Sequence, residues 1–396
     1  MPIRPRTPLR AFHGPTDAGG DPAYAGMLRE AMSEASHASR DTLTHGFHSY
    51  PARMHPEIAR ILIPEFTRRD EIVLDPFCGS GTVLLEARVA GRQGFGVDLN
   101  PLGLRLSEVK CRAMDDEARA RFSLMAKEIA ERSEERVRSR VASRAPLPKS
   151  EVHWYDGHVL RELAGIWEEI HAVEREDDRF AFEMVLSSIV VKFSRQTSDT
   201  NDEPTIKRIR KGLATEFFAR KCEELVERWG ALFGELDAES SAPRLFHGDA
   251  RNLSKLMPRG VKANFVLSSP PYGGTYDYYE HHRRRFAWLG LDARMLRDNE
   301  IGARRNTKTA KSGVKAWEEE LSDVLRSIGS VLVNGGSAVL LIGDADIAGV
   351  RVDADTQIAE LAEDAGLLPV AFANQPRPDW IGGEARREHL LLLRRA

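Results

Sequence analysis

The chain has 396 residues, of which 42% are hydrophobic and 30% charged, a globular composition with room for one large domain or two at roughly 100–200 residues each. A net charge of −3 excludes a whole-molecule basic field, so any case for nucleic-acid binding must rest on local patches. Cys78, Cys111 and Cys222 are widely separated and suggest neither a disulfide framework nor a cysteine-rich zinc site.

The elements follow in chain order. No run reaches the roughly 18 apolar residues of a membrane span, and the N-terminus "MPIRPRTPLRAFHGPTDAGG" lacks the apolar centre of a signal peptide, so a cytoplasmic protein with no membrane partner is expected. Residues 1–44, rich in Pro, Gly, Ala and Ser, predict a mobile arm. The text "HGFHSYPARMHPEIARILIPEF" reads as a loop entering a short amphipathic helix, with Ile58, Ile61 and Leu62 at helical spacing. Next, "EIVLDPFCGSGTVLLEARVAGRQGFGVDLN" runs strand, glycine-rich turn, helix, strand, the order of a βαβ unit with a parallel sheet. Residues 111–243 are dominated by charged helical patterns without a repeat of fixed period and predict a helical insertion. The βα rhythm then resumes in "RLFHGDA", "ANFVLSSP", "GSAVLLIGD", "LLPVAFANQ" and "HLLLLRR". With 72–77 and 94–99 these apolar runs make about seven strands of one α/β sheet, drawn from 45–110 and 244–396.

The first chemical constellation is Asp75-Pro76-Phe77-Cys78-Gly79-Ser80-Gly81-Thr82, at a strand-to-helix junction. There backbone N–H groups and the positive end of the helix face the crevice beyond the strand ends, and glycines let a ligand approach the backbone. Asp98 ends the next strand, where a carboxylate can accept from both hydroxyls of a ribose. The run lacks the Lys-Ser/Thr of a P-loop and the three-glycine dinucleotide pattern, so a nucleoside-bearing cofactor other than ATP or NAD is indicated. The competing reading is a glycine-rich turn of any α/β fold.

"DPFCGSGT" followed by that acidic residue resembles the S-adenosylmethionine-dependent methyltransferases. The resemblance implies their seven-stranded Rossmann-like sheet, with S-adenosylmethionine as cofactor. Gly79 and Gly81 would line it, Phe77 would pack near its adenine or methionine part, and Asp98 would hold the ribose. Asp249 in "FHGDARNL" falls where the family places a side chain near the adenine amino group, and Asp75, Cys78, Thr82 and Asn100 complete the set. Cys78 itself is suited to a small packing role.

The second constellation is Ser269-Pro270-Pro271-Tyr272, closing an apolar strand. An exocyclic aromatic amine is a poor nucleophile because its lone pair is delocalised into the ring. The Ser269 hydroxyl and Pro270 carbonyl can accept from the NH2 group and direct the lone pair, consecutive prolines fix the carbonyl, and Tyr272 offers a flat face to an extruded base. The tetrapeptide resembles the (Asp/Asn/Ser)-Pro-Pro-aromatic motif of nucleic-acid amino-methyltransferases, in which Ser is typical of DNA cytosine-N4 enzymes. That implies methylation of cytosine N4 in double-stranded DNA, within a restriction-modification pair if a cognate endonuclease exists. Adenine N6 is the alternative, and an RNA amino group a more distant one. Cytosine C5 chemistry needs a nucleophilic cysteine, which the family presents after proline, and no cysteine here follows proline.

The segment "YPARMHPE" resembles the family's helper segment, which closes over the methionine end of the cofactor and so would bring in Tyr50, His55 and Pro56. Its place before the glycine loop excludes the permuted class in which the tetrapeptide comes first. His45, His48 and His55 lack the patterns of zinc sites, and no metal is expected.

Basic runs supply candidate DNA contacts: Arg283, Arg284 and Arg285 in "HHRRRF", Arg304, Arg305 and Lys308 in 303–315, and the run 206–211, with Tyr276 beside the tetrapeptide. Taken singly such runs are solvated faces; the position of the first two beside the base-modifying motif favours phosphate contact. The polar segment 194–205 could read base edges. Sequence recognition is thus expected from 111–243 or from 280–317. A nucleic-acid-binding module with a vestigial cofactor pocket is the reading from another class, and the intact glycines, Asp98 and Ser-Pro-Pro-Tyr oppose it.

Overall fold

The computed structural model describes residues 16–198, 201–306, 310–377 and 386–396. Its main sheet is built from β1 (Asp17–Gly20), β2 (Ile72–Asp75), β3 (Gln93–Asp98), β4 (Arg244–His247), β5 (Ala263–Ser268), β6 (Leu332–Gly343), β7 (Leu367–Arg377) and β8 (Arg386–Arg395). The spatial order is β1-β7-β8-β6-β5-β2-β3-β4. From β4 to β6 all neighbours are parallel, while β8 runs antiparallel between β6 and β7.

Period-two alternation explains why both faces are covered. Val73, Phe265, Leu267, Leu390 and Leu392 pack on one face with Leu28 and Met32 of α1 (Pro22–His37) and Ile58 and Leu62 of α2 (Pro56–Phe66). Their neighbours Leu74, Val266, Leu391 and Leu393 pack on the other, with Leu321 and Leu325 of the long C-terminal helix Ala310–Val331. The first βαβ unit joins β2 to β3 through α3 (Thr82–Val89), and α4 (Pro101–Cys111) follows β3.

The seven expected strands are all present, and β1 adds an eighth from the segment assigned to an arm. Its sequence, Asp-Ala-Gly-Gly, carries no apolar alternation to announce a strand. Gly19 is needed there because a Cβ would come within 2.7 Å of the Phe372 ring. Asp21 then caps α1 by accepting from Ala23 N at 3.0 Å, and α1 buries Leu28 and Ala31 completely. From 17 onward the described part of the arm is therefore built into the sheet, and residues 1–15 lie outside the described residues.

The stretch 111–243 is mainly helical, with α5 (Asp116–Arg138), α6 (Gly157–His171), α7 (Glu176–Val190) and α8 (Leu213–Glu235), and it also carries a small two-stranded antiparallel sheet, Gln196–Ser198 with Asn201–Pro204. Phe122 stacks on Phe182 at 4.0 Å and meets Trp229 edge-on at 5.0 Å. Phe286 and Trp288, from α9 (Tyr278–Leu289) beyond the tetrapeptide, belong to the same core. Among the described residues no helix is long and apolar enough to cross a membrane.

Candidate active site

Three neighbouring parallel strands end side by side: β3 at Asp98, β2 at Asp75 and β5 at Ser268. The chain leaves β2 towards β3 on one side and reaches β5 on the other only much later, so the crevice lies where the strand order reverses, the favoured ligand position in open α/β sheets. Ser268 Oγ donates to Asp75 Oδ1 at 2.5 Å and Phe77 N donates to the same oxygen at 3.1 Å, tying the ends of β5 and β2 together.

The glycine loop turns through left-handed Gly79 (φ +47°) and Gly81 (φ +82°). Gly79 N donates to Asp98 Oδ2 and Asn100 N to Asp98 Oδ1, both at 2.7 Å. A carboxylate has roughly four acceptor sites, so these bonds aim Asp98 without exhausting it. Asn100 caps α4 through Leu102 N at 3.1 Å and its amide donates to the Tyr50 hydroxyl at 3.1 Å. Beneath the loop, Ser107 Oγ donates to the Gly79 carbonyl at 2.9 Å, and fully buried Lys110 donates to Ser80 Oγ at 2.9 Å. Burial pushes the Asp75 carboxyl up to about 7 and that of Asp98 to about 6.

Two cavities flank the tetrapeptide. Tyr50, Asp75, Phe77, Cys78, Gly79, Thr82, Asp98, Asn100, Ser269 and Pro271 line the first, with Leu296, Glu300 and Ile301 on its far wall. Tyr272, Tyr276, His55, Arg53, Gln375 and Glu388 line the second. Tyr50 belongs to both walls, and its ring would stand 3.0 Å from a Cβ on Gly79. The first cavity holds about 80 Å³, against about 640 Å³ for the second.

Other predicted residues sit differently. Gly81 packs behind the loop, where a Cβ would meet Ser107 at 2.8 Å. His55 caps α2, accepting from Glu57 N at 3.2 Å, with buried Pro56 at the first helical position. Pro270 is buried between the two cavity-lining residues Ser269 and Pro271. Asp249 departs from expectation: its carboxylate grips Arg251 at 2.6 Å, and it is the neighbours Gly248 and Ala250 that face the first cavity.

The arginine run also departs from expectation. Arg284 and Arg285 are 2% and 1% exposed. Arg284 lies over the Trp154 ring at 3.7 Å, and Arg285 Nε donates to the Ser187 carbonyl at 3.2 Å. These guanidiniums fasten α9 to the insertion and cannot reach a phosphate. Arg283 is partly exposed, beside Glu280 at 3.0 Å and Glu151 at 3.4 Å. Arg305 is held by Glu300 at 2.7 Å, whereas the Arg304 side chain is 70% exposed, 3.4 Å from Asp277. Lys308 and residues 199–200 of the polar segment lie outside the described residues.

Lys110 and Glu388 were not singled out in the sequence. Lys110 did leave a signal, a charge on the buried stripe of Leu102, Leu106 and Val109. Glu388 left a fainter one, a carboxylate in phase with Leu390 and Leu392.

Residues 29–108 match the family model described as DNA methylase. The Type II methyltransferase M.MvaI of Kocuria varians is 40% identical over 91 residues, covering 22% of this chain and 18% of that protein. M.MjaII of Methanocaldococcus jannaschii is 30% identical over 85 residues, 22% of this chain and 16% of the relative. M.BsoBI of Geobacillus stearothermophilus is 24% identical over 286 residues, 66% of this chain and 55% of the relative. The chain thus spans from 16% to 55% of the length of these curated relatives.

Proposed function

We propose, from the match of residues 29–108 to the family model described as DNA methylase, that the chain methylates the exocyclic N4 of cytosine in double-stranded DNA, using S-adenosylmethionine. The observation that carries this reading is the division of the tetrapeptide between two cavities: Ser269 and Pro271 face the glycine-loop side, Tyr272 the wider one. A two-substrate transfer needs such a junction, where a nucleophile held on one side meets an electrophile held on the other.

The first cavity suits the cofactor. Thr82 Oγ1 is buried there without a hydrogen-bond partner among the described residues, which fits a polar group supplied by a ligand. Asp98 retains acceptor capacity for ribose hydroxyls, Asp75 can face a cationic amine, and Tyr50 must turn off Gly79 for a nucleoside to lie along the loop. S-adenosylmethionine supplies an electrophilic sulfonium methyl when bound. The Ser269 hydroxyl and Pro270 carbonyl accept from the amine and draw its lone pair out of the ring, while Tyr272 holds the base flat. The amine nitrogen would take the methyl from the bound cofactor, which would leave as the neutral thioether, and the amine would shed its extra proton to solvent water, Ser269 and Pro270 serving as acceptors that orient it.

For reading DNA, the insertion is favoured over 280–317, because Arg284 and Arg285 of α9 are spent on packing. Arg208, Arg210 and Lys211 of the insertion are exposed. The same proposal includes a cytoplasmic location and, if one exists, a cognate restriction endonuclease as partner.

The test is incubation with unmethylated DNA and S-adenosylmethionine, followed by digestion to nucleosides. N4-methylcytidine as its deoxynucleoside is expected. N6-methyldeoxyadenosine would transfer the reading to adenine, methylation confined to an RNA substrate would transfer it to RNA, and no methylated nucleoside would overturn it.

A further inference from the structure

On β8, Leu390 and Leu392 bury themselves against the α1–α2 side of the sheet. Period two puts Glu388 on the same face, at the end of that apolar row. A carboxylate there is costly unless it is hydrogen-bonded. Its partner is the catalytic tetrapeptide: the Tyr272 hydroxyl donates to Glu388 Oε1 at 2.6 Å, and both residues line the wider cavity.

The backbone under Glu388 is held from both sides, opposite Gln375 on β7 and Gly343 on β6. The flanking residues pin it further, since His389 Nε2 lies 2.8 Å from Asp344 Oδ1 and Arg387 N donates to Asp344 Oδ2 at 2.9 Å. Tyr272 is anchored at its Cα by the prolines and at its tip by a strand in the middle of three. A ring fixed at both ends loses little further freedom when a base stacks on it, and fixing it in advance lowers the cost of binding.

We propose that Glu388 is a positioning residue for the target base, fixing the Tyr272 ring as its stacking platform. This rests on reading the protein as a base methyltransferase, and adds a residue 116 positions from the tetrapeptide to its machinery.

Four variants test it: Glu388→Ala, Glu388→Gln, Tyr272→Phe and the double Glu388→Ala/Tyr272→Phe. Loss of one charged hydrogen bond should raise the KM for DNA roughly tenfold in Glu388→Ala, with S-adenosylmethionine affinity unmoved. Tyr272→Phe should lose about as much, and the double variant no more than either single, because both remove the same bond. Glu388→Gln keeps an acceptor oxygen and should recover most of the loss. Independently of activity, a 3-fluorotyrosine placed at 272 should keep its fluorine chemical shift in Glu388→Gln and change it in Glu388→Ala. Multiplying losses in the double variant, or an unmoved fluorine signal in Glu388→Ala, would overturn the inference by itself. Wild-type protein that methylates no nucleic acid would instead overturn the proposed function, and the platform role with it, leaving the hydrogen bond standing.

Discussion

Asp75 shows how one position joins architecture to chemistry. It ends β2, accepts from Ser268 at the end of β5, and lines the first cavity. Burial raises its carboxyl from the usual range near 3.9 to about 7, so the charge a cationic amine would seek is only partly present at neutral pH. Cofactor affinity measured by calorimetry should therefore weaken as pH falls from 8 to 5.5, by roughly thirtyfold for a single carboxylate titrating near 7. A flat profile would show that Asp75 does not face the ligand charge. In the ligand-free protein the sign is opposite: the folded pKa lies above the unfolded one, so ionisation opposes folding and stability from this group is lost as pH rises from about 4 through 7. Asp98→Ala should weaken cofactor binding by about 1.5–3 kcal/mol, the range for bonds to a charged group, checked in the same calorimeter. Ser269→Ala should instead slow single turnover with little change in DNA affinity, because its acceptor matters most as the amine approaches the methyl. The place of these residues beside the first cavity was legible because each lies at a strand end. Asp249 was misjudged on the same rule: its position is as expected, but Arg251 two residues later captures its side chain at 2.6 Å. Sequence locates the backbone of a strand end more reliably than the direction of the side chain it carries.

Among the elements, α9 is where pattern and packing part company. Three consecutive arginines after the tetrapeptide read naturally as phosphate contacts, yet successive residues on a helix turn by about 100°, so three in a row span about 200° and cannot all share one face. Two of the three fall on the buried side, where Arg284 covers Trp154, Arg285 bonds to Ser187 and Trp288 Nε1 donates to the Tyr155 hydroxyl at 2.9 Å. Arg284→Ala should therefore destabilise the fold by roughly 2–4 kcal/mol in denaturant titration, through lost packing and cation–π contact. The slope of log affinity against log salt for DNA should stay that of wild type, whereas a lost phosphate contact would reduce it by about one. A stable variant with a flatter slope would return Arg284 to the DNA interface. The strand β1 failed to register for a related reason: Gly19 is chosen for the space Phe372 occupies, and a contact with a residue over 350 positions away leaves no periodic mark.

At the scale of the whole molecule, the seven predicted strands fall into an order that brings the glycine loop, Asp98 and the tetrapeptide to adjacent strand ends, although Pro270 lies 172 positions beyond Asp98. Local apolar runs announced the strands, but adjacency is a long-range property and only the family resemblance supplied it. The insertion occupies most of the interval. Sequence marks it as a helical block, yet its core is not its own: Phe47, Leu102 and Leu106 from the N-terminal part of the sheet domain and Phe286 and Trp288 from α9 are buried in the same cluster as Phe122, Phe182 and Trp229. Trp229 Nε1 even donates to the Val109 carbonyl of α4 at 2.8 Å. A block sharing its core on both sides cannot lose its packing without exposing theirs, so insertion and sheet should unfold together. Denaturation followed by tryptophan fluorescence, with Trp154, Trp167, Trp229 and Trp288 reporting from the insertion core, should coincide with the loss of S-adenosylmethionine binding at the sheet in a single transition. An insertion melting first, with the cofactor still bound, would mean that the shared aromatic core contributes little to the stability of the sheet and that the two parts are independent units.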